Sequence, residues 1–167
     1  RCEVHFLMCS ALRILLLLSL GANSLAQAAL QDLALPSLRG DGEHALSEYR
    51  GKVVLMSFFE PDCPWCYRQM KVLNRLQAQC GDHLQPVSVG VNGDVLRLRK
   101  EVRRAKVQYP ALSATPSLMN VVGDVPATPW TLIFGPQGQL LGTLQGYIRL
   151  EKMQKLFADY CSPSARP

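Results

Sequence analysis

The chain has 167 residues, of which 48% are hydrophobic and 19% are charged, and its formal net charge is +5. This composition is typical of one globular domain with a hydrophobic core, and the sequence has neither an internal repeat nor a low-complexity block. The positive charge is too mild to indicate a nucleic-acid partner. We therefore expect no nucleic-acid partner and a monomeric chain.

The N-terminal segment has the pattern of a secretory signal peptide. Arg13 precedes the apolar run 14–22, and Ala26-Gln27-Ala28 places small residues at the spacing of a cleavage site. The pattern predicts a signal peptide over 1–28 and a single exported domain over 29–167, located in the periplasm. The alternative is that the segment stays uncleaved and anchors the domain to the membrane, facing the periplasm.

The cysteine content fits an oxidising compartment. Cleavage after Ala28 would remove Cys2 and Cys9 from the six cysteines of the chain. An even number would remain, which in an exported chain is compatible with full pairing. The remaining cysteines are Cys63, Cys66, Cys80 and Cys161.

A hairpin and a helical turn are predicted before the first buried strand. Residues 32–38 alternate apolar and polar side chains, 39–43 carry a turn signal, and Gly51 ends a short helical turn that begins at Ser47. His44 lies in this polar region. We interpret it as a solvated histidine, because we find no neighbouring carboxylate or cysteine partner for it in the sequence.

The most informative stretch joins a buried strand to a helix through two cysteines. Residues 53–59 form a continuous apolar run, typical of a strand that is buried on both faces. The motif Cys63-Pro64-Trp65-Cys66 follows, and apolar residues then recur at helical spacing at Met70, Leu73 and Leu76. Two cysteines on the first turn of a helix can close into a small ring and cycle between dithiol and disulfide.

The start of the helix assigns different roles to the two cysteines. Its free N–H groups and its dipole favour a thiolate, so we predict that Cys63 is the acidic, exposed and attacking sulfur. Cys66 lies one turn deeper and is predicted to resolve the mixed disulfide. Pro64 suits the first turn, because that position needs no N–H donor. The predicted catalytic pair is therefore Cys63 and Cys66, with no cofactor.

Two other interpretations of this motif are weaker. A zinc site needs two more ligands, and the sequence has no second close pair of Cys or His residues. A purely structural disulfide would gain little stability, because so small a ring removes little entropy from the unfolded chain. We therefore expect redox chemistry and no bound metal.

A second strand and a basic helix follow. Residues 86–91 predict the strand, and 92–94 supply the turn and the N-cap of a helix over 95–106. We interpret the charged faces of this helix as solvated. The alternative is a surface that docks an acidic partner or a membrane. The basic residues of the helix are Arg97, Arg99, Lys100, Arg103, Arg104 and Lys106.

The remainder of the chain predicts one more hairpin and a closing helix. Residues 109–129 are rich in proline and only weakly periodic, so no regular element is predicted there. Strands are predicted at 130–134 and 139–144 around the turn 135–138, and a helix over 149–160.

Together these motifs resemble the thioredoxin-like superfamily. The resemblance is carried by a strand ending in Phe58-Phe59, by the Cys63–Cys66 motif on a helix, and by Thr128-Pro129 before a β-hairpin and a C-terminal helix. The approach to the strand, from Leu35 to Leu55, is similar to the exported TlpA/ResA-type branch of this superfamily.

The resemblance runs from about Leu33 to Tyr160 and implies a fold and a substrate site. The fold is α/β and thioredoxin-like, a central mixed β-sheet flanked by helices, with an N-terminal β-hairpin extension. The Thr128–Pro129 peptide is implied to be cis and to face the dithiol, so that Thr128, Pro129 and Trp65 bind a substrate chain. The alternative is an ordinary trans proline at a strand edge.

The chain departs from the family pattern near the dithiol. Ser57 stands where many thioredoxins carry a buried acid, and Gln69 stands where ResA-type reductases carry a glutamate. Pro64 precedes Trp65 between the cysteines, an order that resembles glutaredoxins and some periplasmic oxidases. Glu60 and Asp62 also lie near the site, and their charges would oppose a thiolate. The reduction potential could therefore lie anywhere between about −270 and −120 mV.

The implied fold also bears on the two remaining cysteines. In a thioredoxin-like sheet, the helix after Cys63 and the final helix pack on one face with their C-termini adjacent. Cys80 and Cys161 occupy these two ends, so we predict that they form a structural disulfide. The alternative is two unpaired thiols.

These observations predict an exported thiol–disulfide oxidoreductase. We expect it to reduce disulfides of a partner protein and to be re-reduced by a membrane electron donor. The first alternative is a periplasmic dithiol oxidase or isomerase, and an oxidase fits better because isomerases usually add a dimerisation domain. The second is a non-catalytic module that binds a metal or a partner. A peroxiredoxin is disfavoured, because its Thr-x-x-Cys pattern is missing at Cys63.

Overall fold

The computed structural model describes residues 30–161. Near its start, β1 (Leu35–Pro36) and β2 (Glu43–His44) form a two-stranded antiparallel sheet, and a 3-10 turn follows at Leu46–Tyr49. The predicted N-terminal hairpin is therefore confirmed. The predicted signal peptide, 1–28, lies outside the described residues.

The main sheet has five strands in the order β5-β4-β3-β6-β7. β4 runs parallel to β3 and to β5, whereas β6 is antiparallel to β3 and to β7. The sheet is therefore mixed, as predicted. Its strands are β3 (Val53–Phe59), β4 (Leu84–Gly90), β5 (Ala111–Ser113), β6 (Trp130–Phe134) and β7 (Leu140–Gln145).

Helices pack on both faces of this sheet. One core contains side chains of α1, α2 and α4, and the other contains side chains of α3. Of the helices that the structure describes, none is long and apolar enough to cross a membrane. The helices are α1 (Pro64–Cys80), α2 (Val95–Ala105), α3 (Pro116–Val122), α4 (Leu150–Leu156) and α5 (Ala158–Cys161).

The position of β3 in the middle of the sheet explains why all but one of its residues are apolar. All seven of its residues are buried. Val53 and Leu55 belong to the core that contains α1, whereas Val54 and Met56 belong to the core on the other face. Successive side chains of a strand point to opposite faces, so a strand covered on both faces needs apolar residues at nearly every position.

β4 begins two residues before the predicted strand and contains a proline, Pro86. The Ser88 N–H donates to Pro110 O at 3.0 Å, on the side of β5. Pro86 lies two residues earlier and faces the same side, before β5 starts to pair at Ala111. No ladder hydrogen bond is therefore lost at Pro86, which is why a proline is tolerated in this inner strand.

No element was predicted over 109–129, but β5 and α3 lie there. The α3 helix begins after Thr115, whose hydroxyl accepts a hydrogen bond from the Leu118 N–H at 3.2 Å, and Pro116 follows in the first turn. This cap and proline form a start signal that the sequence did carry. The two elements are too short to show a periodic pattern, since β5 has three residues and α3 has seven.

The closing helix is also interrupted. A single helix was predicted over 149–160, but α4 ends at Leu156 and α5 starts at Ala158. Phe157 between them has a non-helical backbone (φ −116°, ψ 23°) and a buried side chain. Burial of this ring in the core outweighs the propensity of the segment to continue as one helix.

Candidate active site

The two cysteines of the motif lie where the chain passes from β3 into α1. Cys63 is the N-cap residue of α1, with an extended backbone (φ −94°, ψ 106°), and Pro64 follows in the first turn. Cys63 and Cys66 form a disulfide, with their Cα atoms 5.2 Å apart. The Sγ of Cys63 accepts a hydrogen bond from the Cys66 N–H at 3.1 Å. A helix-terminal donor therefore points at this sulfur.

The two sulfurs differ in access. Cys66 is 2% exposed and belongs to the core beneath α1, whereas Cys63 is partly exposed. A sulfur atom of another molecule can therefore approach Cys63 but not Cys66. This difference fits an attacking Cys63 and a resolving Cys66, and both roles stay predictions.

The Thr128–Pro129 peptide is cis and lies against the dithiol. The Sγ of Cys63 is 3.9 Å from Thr128 O and 3.8 Å from Thr128 Oγ1. The Thr128 hydroxyl donates to Glu60 Oε1 at 2.8 Å, and Asn92 Nδ2 donates to Glu60 Oε2 at 3.2 Å. Glu60 therefore ties the segment before β6 to the loop that carries Cys63.

Asp62, directly before Cys63, is paired with a cation of α2. Arg97 Nη2 donates to Asp62 Oδ2 at 2.5 Å. This hydrogen bond, together with the nearby charges of Arg97, Lys100 and Arg104, lowers the pKa of Asp62. The carboxylate therefore stays charged, but the cations counter its repulsion of a thiolate at Cys63. This effect could not be predicted from the sequence, because Arg97 is 35 residues away along the chain.

Ser57 and Gln69, the two departures from the family pattern, are buried and neutral. Ser57 is 3% exposed, and its Oγ accepts a hydrogen bond from Thr131 Oγ1 at 3.0 Å. Gln69 is 2% exposed, and its Oε1 accepts from the Ile148 N–H at 2.8 Å. Neither side chain titrates near neutral pH, so neither can take a proton from Cys66 during exchange.

Trp65 projects beside the dithiol and is 53% exposed. Its ring centroid lies 5.6 Å from that of Tyr147, and the Arg68 guanidinium carbon lies 4.7 Å from the Trp65 ring centroid. Trp65 was predicted from the sequence to bind substrate, but neither of its neighbours was predicted. The contact with Arg68 could have been predicted, because Arg68 lies three residues after Trp65 on the same helix. The contact with Tyr147 could not, because Tyr147 is distant in sequence.

The second cysteine pair lies at the opposite end of α1. Cys80 is the last residue of α1 and Cys161 the last of α5, and they form a disulfide with their Cα atoms 4.5 Å apart. At a rise of 1.5 Å per residue, α1 separates its two ends by about 25 Å. The structure therefore brings these two cysteines together, away from the dithiol.

His44 lies partly exposed at the surface, but the expectation that it has no carboxylate partner is wrong. Its Nδ1 is 3.0 Å from Glu48 Oε2, and its Nε2 is 3.6 Å from Asp41 Oδ1. The hydrogen bond with Glu48 is the main cause that raises the pKa of His44, and it also lowers the pKa of Glu48. The two acids are sequence neighbours at i−3 and i+4, spacings that become contacts only because the chain turns here.

Metal ligands are not clustered in the part of the chain that the structure describes. Among residues 30–161, no group of three or more His, Cys, Asp and Glu side chains is arranged to hold a metal ion. The four cysteines of this range are all in disulfides.

Comparison of the sequence with known proteins identifies a family and similar proteins. The model of the family described as "TraF: F plasmid transfer operon protein" matches residues 25–129. The chain is 26% identical over 125 residues to the thiol-disulfide oxidoreductase ResA of Geobacillus kaustophilus, a match that covers 74% of this chain and 71% of that protein.

Solved structures resemble most of the chain. A thiol:disulfide interchange protein of the thioredoxin family from Chlorobium tepidum matches with a TM-score of 0.70 at 17% identity, over 78% of this chain and 93% of that one. A secreted Mycobacterium tuberculosis disulfide oxidoreductase, homologous to E. coli DsbE, matches with a TM-score of 0.66 at 17% identity, over 78% and 97%. The predicted thioredoxin-like fold and the resemblance to the TlpA/ResA type are confirmed.

Proposed function

Because the chain belongs to the TraF family and is a thioredoxin-like thiol–disulfide oxidoreductase, we propose that it reduces disulfides of a partner protein in the periplasm. Cys63 attacks the partner, Cys66 releases it, and a membrane electron donor restores the dithiol. The domain over 29–167 reaches the periplasm through the signal peptide over 1–28.

The reaction consists of two substitutions at sulfur. The Cys63 thiolate attacks one sulfur of the partner's disulfide, a mixed disulfide forms, and the other partner sulfur leaves as a thiolate that takes up a proton. The Cys66 thiolate then attacks Cys63 Sγ, which releases the second partner sulfur and closes the internal disulfide. The partner gains two electrons and two protons, and the Cys63–Cys66 pair loses them.

The proposal is carried by the contrast between the two sulfurs at the start of α1. Cys63 is partly exposed, and its sulfur accepts a hydrogen bond from the Cys66 N–H at 3.1 Å. A negative charge on this sulfur is therefore stabilised where a partner can reach it. Cys66 is 2% exposed and stays behind it. This arrangement supports attack at Cys63 and resolution by Cys66.

The partner's chain is proposed to lie across Trp65, Thr128 and Pro129. Thr128 O is 3.9 Å from Cys63 Sγ, so backbone groups of Thr128 can pair with an extended peptide whose cysteine reaches that sulfur. Trp65 offers an exposed apolar ring on the same loop. These contacts would supply affinity for a polypeptide, not for a small thiol.

A dithiol oxidase is the second candidate, and one observation favours it. Arg97 pairs with Asp62, and the Cys63 sulfur accepts a helix N–H, so both arrangements stabilise a thiolate. A stabilised thiolate makes the reduced form stable and the protein more oxidising. Equilibration of the pair with glutathione decides between the two: a potential near about −270 mV supports the reductase, and one near about −120 mV supports the oxidase.

A trapping experiment tests the partner and the location together. In Cys66→Ala the mixed disulfide cannot be resolved, so a partner protein stays bound to Cys63 and is recovered from the periplasmic fraction. Cys63→Ser/Cys66→Ala is the matched control and must recover none. If the single variant traps no more protein than the control, the proposal of a protein substrate is wrong.

A further inference from the structure

Only part of the basic cluster on α2 has acidic partners. Arg97 Nη2 lies 2.5 Å from Asp62 Oδ2, and Arg104 Nη2 lies 2.6 Å from Glu101 Oε2. Such ion pairs account for a cation on a helix surface without any ligand.

Other cations of α2 converge on a pocket between this helix and the N-terminal hairpin. The pocket has a volume of about 350 Å³, within the size range of small-molecule sites. Three cations come from α2 and its C-cap at i, i+4 and i+7, and one comes from the hairpin. Among the described residues, no acidic side chain lines it. The lining residues are Arg39, Arg99, Arg103 and Lys106, with Leu38, Gly40, Val102 and Val107.

One of these cations is held in place by the protein, and another has a buried donor without a protein partner. Arg39 Nη1 donates to Val107 O at 3.0 Å, which fixes its guanidinium at the pocket. The Arg99 Nε is buried and has no hydrogen-bond partner among residues 30–161. Asp41 interacts electrostatically with Arg39, but its carboxylate accepts a hydrogen bond from Ser37 Oγ and is not part of the pocket wall. An acceptor inside the pocket would satisfy the Arg99 donor.

Cations of this pocket repel one another. Arg99 and Arg103 are spaced i, i+4 on one helix, where like charges repel. The helix dipole favours cations in the last turn and so accounts for Arg103 and Lys106. It does not account for Arg99, which lies more than a turn earlier, whereas Arg39 on the hairpin is held by Val107 O. A bound anion would account for Arg99 and would also be attracted by the other three cations.

We propose that this pocket binds a phosphate group. Guanidinium groups present paired N–H donors that match phosphate oxygens, and Lys106 adds a further charge. Four converging cations suit a doubly charged phosphate better than a single carboxylate. The phosphate belongs either to a soluble compound or to the headgroup of an anionic lipid, which share this chemistry. No residue assigned to the dithiol site lines the pocket, so the inference is independent of the proposed function.

The test compares a pocket variant with a charge-matched control. Arg99→Gln/Arg103→Gln removes two pocket charges, and Lys71→Gln/Arg75→Gln removes two exposed charges from α1. Calorimetric titration of the full chain with inorganic phosphate, at constant ionic strength, should give saturable binding that is at least about tenfold weaker in the pocket variant and unchanged in the control.

Thermal unfolding separates loss of the site from loss of folding. Phosphate should raise the Tm of the unaltered chain and of the control, but not that of the pocket variant. Without phosphate, the pocket variant should melt no lower than the unaltered chain, because the repulsion between Arg99 and Arg103 is gone.

Co-sedimentation with vesicles identifies the source of the phosphate. Retention on phosphatidylglycerol but not on phosphatidylcholine, lost in the pocket variant, supports a lipid headgroup. Phosphate binding without such retention supports a soluble compound. Absence of saturable phosphate binding together with absence of variant-dependent retention overturns the proposal. Equal weakening in the pocket variant and the control also overturns it.

Discussion

The two cysteine pairs occupy opposite ends of one helix, α1, and their surroundings differ. Cys63 is partly exposed at the N-terminus, where N–H groups favour a negative sulfur. Cys80 is 3% exposed at the C-terminus, where the carbonyl end of the dipole disfavours a thiolate. One helix can therefore make one cysteine pair reactive and leave the other inert.

The loops that the two disulfides close add a second difference. The cysteines of the first pair are 3 residues apart in sequence, and those of the second are 81 apart. Closing the longer loop removes entropy from the unfolded chain and so raises the free energy of unfolding by about 4 to 5 kcal/mol. The short ring raises it far less. Exchange is therefore expected to depend on the first pair and stability on the second.

The largest effect is expected from removal of the exposed sulfur. Cys63→Ser should lower the rate of reduction of a peptide disulfide by at least about 10³-fold, because the nucleophile is lost. Cys80→Ala/Cys161→Ala is the matched control and should keep the rate per folded molecule. If Cys63→Ser retained more than a tenth of the rate, the assignment of exchange to this end of α1 would fail.

The reverse effect is expected for stability. Cys80→Ala/Cys161→Ala should lower the free energy of unfolding by up to about 4 to 5 kcal/mol, measured by urea titration with circular dichroism. Cys63→Ala/Cys66→Ala should lose much less, because its ring is short. Similar losses in the two variants would contradict the division of roles between the pairs.

A smaller effect should show how α2 tunes the reactive end. Arg97→Gln should raise the pKa of the reduced Cys63 thiol by less than about one unit, since the charge of Asp62 is then countered less and solvent screens the rest. The pH dependence of iodoacetamide alkylation measures this shift. Asp62→Asn/Arg97→Gln should reverse it, and an unchanged profile in Arg97→Gln at low salt would exclude electrostatic tuning by this pair.

The smallest effect concerns the pH dependence of the unfolding free energy that arises from His44 and Glu48. The pKa of His44 is raised above 6.5, so its contribution is present below that pH and is lost as the pH rises through the folded-state pKa. The pKa of Glu48 is lowered below 4.5, so its contribution is lost only as the pH falls through that lower value. The stabilisation by the His44–Glu48 pair is therefore largest between about pH 4.5 and pH 6.5.

His44→Gln should reveal this contribution. It should lower the unfolding free energy by less than about 1 kcal/mol near pH 5.5 and leave it nearly unchanged at pH 8, because the pair is partly solvated. Urea titrations of both chains at the two pH values measure the difference. A loss of equal size at pH 8 would mean that His44 stabilises by packing and not by its charge.

Signals that lie within one short segment predicted much of the fold. The run 53–59 predicted β3, and the apolar spacing after Cys66 predicted α1, because each pattern reports burial within its own element. The segment 109–129 was missed because β5 and α3 are held by contacts with the rest of the sheet and are too short to show periodicity.

The sequence alone determined the dithiol, its place at the start of a helix and the predicted roles of Cys63 and Cys66. These follow from residues that are neighbours along the chain. Only the tertiary structure decided that Arg97 counters Asp62, that Trp65 packs near Tyr147 and that four cations surround one pocket. Such contacts join segments far apart in sequence, and electrostatic interactions depend on the distances and burial that the packed elements impose.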